Sequence, residues 1–211
     1  MSRGSKPGTF TEHLFKILVI GDLGVGKTRF VNRYVRNHFS SHLKLTLGVD
    51  FTLKVIAWDS KTMVRLQLWD ISGHEHFKNM SRAYFKGARG ALVVYDVTKE
   101  STLEGALSWK LDLDRKVVTD NGRPIPSVLL ANKCDQGKVS SKEPRFIDRL
   151  CREKGFTGWF EVSAKENFNV DEAATFLVKN ILLCEESDTE EGQCGDVTLK
   201  QASEKQLYNC C

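Results

Sequence analysis

The chain is predicted to fold as an α/β protein built on a doubly wound, six-stranded, mostly parallel sheet with one antiparallel strand. Three observations predict it. Short continuous apolar runs such as Ala91–Asp96 and Ser127–Ala131 are typical of parallel strands covered on both faces. These runs alternate with stretches of helical spacing, as βαβ units require. Two further runs, Val49–Trp58 and Met63–Ile71, are separated only by the turn Asp59-Ser-Lys-Thr62, which makes them an antiparallel pair.

Taken in order, Leu14–Ile20 is the first strand and Arg29–Asn37 the helix that follows it. His38–Leu47 is a polar connector into the antiparallel pair. Ala91–Asp96 is the fourth strand, Leu103–Val118 a helix, and Ser127–Ala131 the fifth strand. Phe146–Lys154 is a helix, Trp159–Val162 the last strand and Val170–Cys184 the last helix. Residues 1–12 and 185–209 lack periodicity and read as disordered. The organisation is thus a flexible extension (1–12), one domain (13–184) and a tail (185–211).

At 211 residues with 41% hydrophobic content, one domain with a sizeable core is expected. No apolar run approaches a membrane span, the first eight residues lack a signal-peptide core, and Ser2 removes N-myristoylation. A cytosolic chain with reduced thiols is expected. None of the six cysteines has a metal-ligand spacing partner. The net charge of +4 conceals a split, because the tail from Glu185 carries seven acidic residues against Lys200 and Lys205. The body is correspondingly basic. No aromatic-plus-Arg patch accompanies that charge, so bound phosphates explain it better than nucleic acid.

The segment Gly21-Asp-Leu-Gly-Val-Gly-Lys27-Thr28 lies between the first strand and the first helix, the context of a phosphate-binding loop. Its glycines let successive backbone N–H groups curl around an anion at a helix N-terminus. Lys27 can reach outer phosphates, and the Thr28 hydroxyl suits Mg2+.

Three more segments stand at strand ends, where such sheets bind ligands. Asp70-Ile-Ser-Gly73 offers a carboxylate for Mg2+ through water and a Gly73 N–H for a γ-phosphate. Asn132-Lys133-Cys134-Asp135 offers a carboxylate able to pair with guanine N1–H and its 2-amino group. Ser163-Ala164-Lys165 can supply a backbone N–H to the guanine oxygen. Alone, a run like Asn-Lys-Cys-Asp is usually a turn. All four in order point to GTP and GDP.

These motifs resemble those of the Ras-like small GTPases, and more closely the Rab family, over roughly residues 13–184 and the last two residues. The resemblance implies that Asp22, Leu23, Gly24, Val25, Gly26, Lys27, Thr28 and Arg29 hold the phosphates. It places the base among Phe39, Asn132, Lys133, Asp135, Ser163, Ala164 and Lys165, and Mg2+ among Thr28, Thr46 and Asp70. Thr46-Leu-Gly-Val-Asp-Phe51 looks like switch I and Trp69-Asp-Ile-Ser-Gly-His-Glu-His-Phe77 like switch II. Phe51, Trp69 and Tyr84 match the aromatics that Rabs show to effectors, although core packing is the default reading from sequence alone. Segments such as Leu53-Lys-Val-Ile-Ala-Trp58 and Trp109-Lys-Leu-Asp-Leu-Asp114 resemble the branch serving lysosome-related organelles such as melanosomes.

The resemblance further implies an exchange factor, a GTPase-activating protein, a GDP-dissociation inhibitor, a prenylation escort and effector proteins bound through the switches. Cys210 and Cys211 look like a doubly geranylgeranylated ending, which would anchor the protein to the cytosolic face of endosomal, lysosome-related or Golgi-derived membranes, with a cytosolic pool. Ser81 resembles a regulated hydroxyl position, and Cys194 is a candidate for palmitoylation.

The chain departs from the Rab pattern in several places. His74 replaces the usual Gln after the switch II glycine, Ser72 a usual Ala, His76 a usual Arg, and Leu47 a common Ile. The roles implied for catalysis are water alignment by residue 74 and charge neutralisation by Lys27. An imidazole has one donor and one acceptor like an amide, but on a shorter, rigid ring. Translational GTPases use a His at a similar position. Two readings stay open: a cycling GTPase, and a slowly hydrolysing, mainly GTP-bound effector-binding module.

Overall fold

The computed structural model describes residues 10–41, 46, 48–74, 83–119, 121–137 and 144–193, the last six by backbone path only. The apolar runs form one six-stranded sheet. Its strands are β1 (Thr11–Ile20), β2 (Val49–Ala57), β3 (Thr62–Ile71), β4 (Gly90–Asp96), β5 (Ser127–Asn132) and β6 (Gly158–Val162). Their order is β2-β3-β1-β4-β5-β6. Every neighbouring pair is parallel except β2 and β3. The hairpin between those two closes as the sequence suggests, with Asp59 Oδ1 accepting from the N–H groups of Lys61 and Thr62 at 2.7 and 2.8 Å. This is the side-chain turn that makes Asp a turn former.

Among the described residues, four helices of ten or more residues cover the sheet: α1 (Lys27–Arg36), α2 (Ser101–Lys116), α3 (Pro144–Glu153) and α4 (Val170–Gln193). Alternation along β1 assigns them to two cores, because successive side chains of a strand point to opposite faces. Phe15, Ile17 and Val19 pack with Phe30 and Tyr34 of α1 and with Leu177 and Ile181 of α4. Leu18 and Ile20 face the other way, towards Trp109 and Leu113 of α2 and Ile147 of α3. All seven residues of β4 are buried, as a central parallel strand between two helical layers must be. β1 has β3 on one side and β4 on the other. The C-terminal end of β1 is therefore the topological switch point, where open sheets of this kind bind ligands.

Two ends differ from the sequence reading. β1 begins at Thr11, before the apolar run, because Thr11 and Glu12 pair with Thr62 and Met63 of β3. Glu12 also meets Arg65 in an ion pair. Residues 11 and 12 are strand, not flexible extension; polar side chains on an exposed strand end carry no apolar signal. At the other end α4 runs past Cys184 to Gln193. Its continuation is Glu-rich, and Glu is a good helix former without needing burial. Glu185 anchors the first extra residues, through His13 Nδ1 at 3.0 Å and Arg89 Nε at 4.0 Å. Residues 1–9 and 194–211 lie outside the described residues.

Candidate functional site

The loop after β1 enters α1 through Gly26, whose φ of 101° is costly for any residue with a side chain. A Cβ there would also stand 2.3 Å from the amide nitrogen of Asn132. Lys27 is buried, and its Nζ donates to the carbonyls of Gly21 and Asp22 at 2.9 and 2.8 Å. The side chain thus closes its own loop into a ring. Burial outweighs the attraction of Asp70 and Asp22 and brings the Lys27 ammonium down to about 8. An ammonium that is short of compensation favours an anionic ligand beside it.

Thr28, Thr46 and Asp70 come together beside this loop. Thr28 Oγ1 donates to Asp70 Oδ2, the Thr46 hydroxyl donates to Thr28 Oγ1 at 2.7 Å, and Thr46 Oγ1 lies 3.4 Å from the same carboxylate oxygen. Asp70 Oδ1 is buried with no partner among the described residues. Burial raises the Asp70 carboxyl above its ordinary value, against the pull of Thr28 and Lys27. Two hydroxyls and a carboxylate with an unsatisfied oxygen fit a hard cation that takes oxygen ligands and keeps several waters.

The base-recognition segments meet on the other side of the loop. Phe39 lines one pocket with Gly26, Arg29, Asn132, Lys133, Asp135, Ala164 and Lys165. The Arg29 guanidinium lies 5.7 Å from the Phe39 ring centroid and donates to the carbonyls of Ser40 and Ser41 at 3.2 and 3.1 Å. Asp135 accepts from the Ser163 hydroxyl at 2.7 Å, and Lys165 Nζ stands 3.9 Å from its other oxygen. Asn132, 1% exposed, bridges the two halves: its Nδ2 donates to the Val25 carbonyl at 2.8 Å, and the Ala164 N–H reaches its Oδ1 at 3.4 Å.

Three residues with no motif of their own complete the site. Arg33 of α1 donates from Nε to the Ala164 carbonyl and from Nη2 to the Lys165 carbonyl, both at 2.8 Å. Asp96, at the end of β4, accepts from Lys133 Nζ at 2.6 Å, while the same ammonium reaches the Gly24 carbonyl at 3.0 Å. Burial opposes ionisation of Asp96, but hydrogen bonds from Lys133 and Thr98 prevail and hold it below the usual carboxylate range. The third is Trp109, whose indole N–H donates to Asp22 Oδ1 at 3.0 Å. A sequence signal exists for Asp96 alone: a polar residue closing a strand on the ligand-binding edge.

Gly73 and His74 follow β3. A Cβ on Gly73 would lie 2.3 Å from the backbone carbon of Asp22 and 2.4 Å from the nitrogen of Leu23, so only glycine lets the chain approach the phosphate loop here. The Ser72 hydroxyl accepts from the His74 N–H at 3.4 Å. His74 and Leu23 are exposed. Of the three aromatics, Phe51 and Trp69 stack at 6.0 Å between centroids, with Lys16 Nζ 3.9 Å above the Trp69 ring. Phe51 is 60% exposed, contrary to a core role. Tyr84 is partly buried against the core cluster that holds Phe85. Leu47, His76, Phe77, Ser81, Cys194, Cys210 and Cys211 lie outside the described residues.

A six-stranded sheet that carries its phosphate loop at the switch point of β1 has the fold of the Ras-like G domain, and residues 16–183 match the model of the Ras family. Over 202 residues the chain is 57% identical to Ras-related protein Rab-32 of Sus scrofa, covering 95% of this chain and 89% of that protein. It is 55% identical to Ras-related protein Rab-32A of Dictyostelium discoideum, covering 82% of this chain and 80% of that one. With Ras-related protein Rab-7L1 of Homo sapiens the identity is 48%, over 81% of this chain and 84% of that one. The chain belongs to the Rab family of Ras-like small GTPases.

It is a GTP-binding switch of vesicle trafficking. Membership implies GTP hydrolysis, binding of Mg2+ with GTP or GDP, and the general Rab partners: exchange factor, activating protein, GDP-dissociation inhibitor, effectors and prenylation machinery. It also implies peripheral association with the cytosolic face of membranes. Among the described residues no helix is long and apolar enough to cross one.

Proposed function

We propose that this Rab is a slowly hydrolysing switch, long-lived in its GTP state, acting on endosomal or lysosome-related membranes. The observation that carries the nucleotide assignment is the meeting of Thr28, Thr46 and Asp70 oxygens beside a phosphate loop whose buried Lys27 points its ammonium at the loop's own carbonyls, those of Gly21 and Asp22. Thr28 and Thr46 would hold Mg2+, with Asp70 behind them; when bound, the ion neutralises charge on the transferring phosphoryl oxygens. Lys27 would exchange its loop carbonyls for phosphate oxygens and add a fixed positive charge. The N–H groups of residues 22–29 and of Gly73 would donate to the same anion. Asp135 would read guanine N1–H and the 2-amino group, with Ala164 N–H at the guanine oxygen and Phe39 beside the ring.

Residue 74 carries the kinetic reading. Attack by water needs a group that accepts a proton from it and donates towards the transferring phosphoryl group. An imidazole reaches less far than a Gln amide and cannot turn its donor and acceptor towards both at once. Because Thr46 binds where the γ-phosphate and ion would be, loss of that phosphate would release switch I, and effectors would read the ordered state through Phe51, Trp69 and Tyr84. Phe51, 60% exposed and stacked on Trp69 at 6.0 Å between centroids, supports a surface open to a partner. Residues 13–184 act as the switch domain. The acidic tail would carry two geranylgeranyl groups on Cys210 and Cys211.

The test is the nucleotide that copurifies with the protein. GTP in excess of GDP, released by chelating Mg2+, is expected. Stoichiometric GDP alone would support a rapidly cycling enzyme, and adenine nucleotide would overturn the base assignment.

A further inference from the structure

Asp22 is gripped from two sides. Its backbone lies against Gly73, where a Cβ would come within 2.3 Å of the Asp22 carbonyl carbon. Its carboxylate lies against α2, where a Cβ on Gly105 would stand 1.8 Å from Oδ2 and 2.7 Å from Oδ1. One turn further along the same helix, Trp109 donates its indole N–H to Oδ1 at 3.0 Å. Trp109 is only 1% exposed and is embedded among Leu103, Ala106 and Leu113 of the core on that face, so its ring is fixed by packing. Glycine is a poor helix former and is disfavoured in a helix interior. At position 105 it leaves room for the carboxylate.

We infer that Trp109 and Gly105 are positioning residues for the nucleotide site, and that α2 acts through Asp22 to set the phosphate loop against the start of switch II. The indole N–H and the empty Cβ position fix the Asp22 side chain, which fixes the peptide that Gly73 rests on. Lys27 Nζ already holds the carbonyl of that same residue at 2.8 Å. The phosphate-loop lysine, the switch II glycine and α2 are thus joined at one residue. The coupling rests on the nucleotide-binding reading above. Its sequence signal is weak, since Trp109 lies 87 residues from Asp22.

The experiment measures dissociation of a fluorescent GDP from the full chain in Mg2+ for four variants and one double-mutant cycle. Trp109→Phe keeps most of the ring volume and loses the donor. Gly105→Ala improves helix propensity but sets a Cβ against the Asp22 carboxylate, so a purely structural role predicts a lower urea midpoint with GDP release unchanged. The inferred role predicts that both speed GDP release by about three- to tenfold, the range of one lost hydrogen bond. Asp22→Ala should speed release by a similar factor. In that background Gly105→Ala should add nothing, because the carboxylate it displaces is gone. If Trp109→Phe proves poorly folded, the Gly105 and Asp22 cycle decides alone. Unchanged release in Gly105→Ala, or effects that multiply in the double variant, would overturn the inference while leaving nucleotide binding intact. Failure of the wild type to bind GDP would overturn the underlying reading instead.

Discussion

The side-chain amide of Asn132 donates to the carbonyl oxygen of Val25 at 2.8 Å, joining the end of β5 to the middle of the phosphate loop. The Asn132–Asp135 segment and the Gly21–Thr28 loop are therefore braced against each other. Asn132→Ala leaves a buried carbonyl unpaired, which costs about 1–3 kcal/mol. GDP and GTP affinities should both fall by about ten- to a hundredfold, with guanine still preferred over adenine. Titration of fluorescent nucleotides checks this, and loss of base preference without loss of affinity would contradict it.

Arg33 holds the carbonyls of Ala164 and Lys165 with two different nitrogens, a geometry that needs the planar guanidinium fork. Arg33→Ala should weaken guanine nucleotide binding by about tenfold, on the scale of hydrogen bonds from a charged donor. Arg33→Lys should not restore it, since one ammonium cannot reproduce the fork. Full recovery in the lysine variant, by the same titration, would show that charge alone matters.

The four motifs of the site are legible in the sequence because each is a run of consecutive residues at a strand end, and the alternation of runs fixes the sheet that carries them. Arg33 and Asp96 are not legible in that way. Arg33 acts across 131 residues and Asp96 across 37; a surface Arg has no distinctive local pattern, and the strand-end position of Asp96 marks it as a candidate without revealing its partner. The limits of β1 and α4 are missed for a related reason. Thr11 and Glu12 are held by ladder pairing with β3, and α4 beyond Cys184 by helix propensity and the contacts of Glu185 with His13 and Arg89, neither of which needs apolar periodicity.

Asp96 supplies a pH test. Its carboxyl lies below the ordinary value of 3.8, with hydrogen bonds from Lys133 and Thr98 outweighing burial. A group lowered in this way stabilises the fold above the unfolded pKa, and the contribution is lost as pH falls through the folded one. Asp96→Ala should cost about 2 kcal/mol at neutral pH, on the scale of a charged hydrogen bond. The gap between wild type and variant, from urea unfolding, should stay constant between pH 7 and 5 and narrow only below about pH 4. Narrowing already between pH 7 and 5 would mean that another group titrates there.

If Cys210 and Cys211 carry the proposed geranylgeranyl groups, membrane attachment would depend on both. Stable anchoring takes two signals, each buried CH2 contributing about 0.8 kcal/mol. The acidic tail supplies no polybasic attraction to anionic lipid, so both of the proposed lipid groups would be needed. Cys210→Ser alone should move most of the protein to the soluble fraction on sedimentation. Full retention on membranes would point to another anchor, with Cys194 the first to test.

On the proposed reading His74 sets how long the GTP state lasts, and single-turnover hydrolysis of GTP by wild type and His74→Gln measures it. Nucleotide affinity should be nearly equal in the two. The Gln variant should turn over about tenfold faster, equivalent to about 1.4 kcal/mol of barrier, and the wild type should remain mostly GTP-bound on the same timescale. A wild-type rate equal to or above that of His74→Gln would contradict the slow switch and leave a Rab whose cycle is not limited by residue 74.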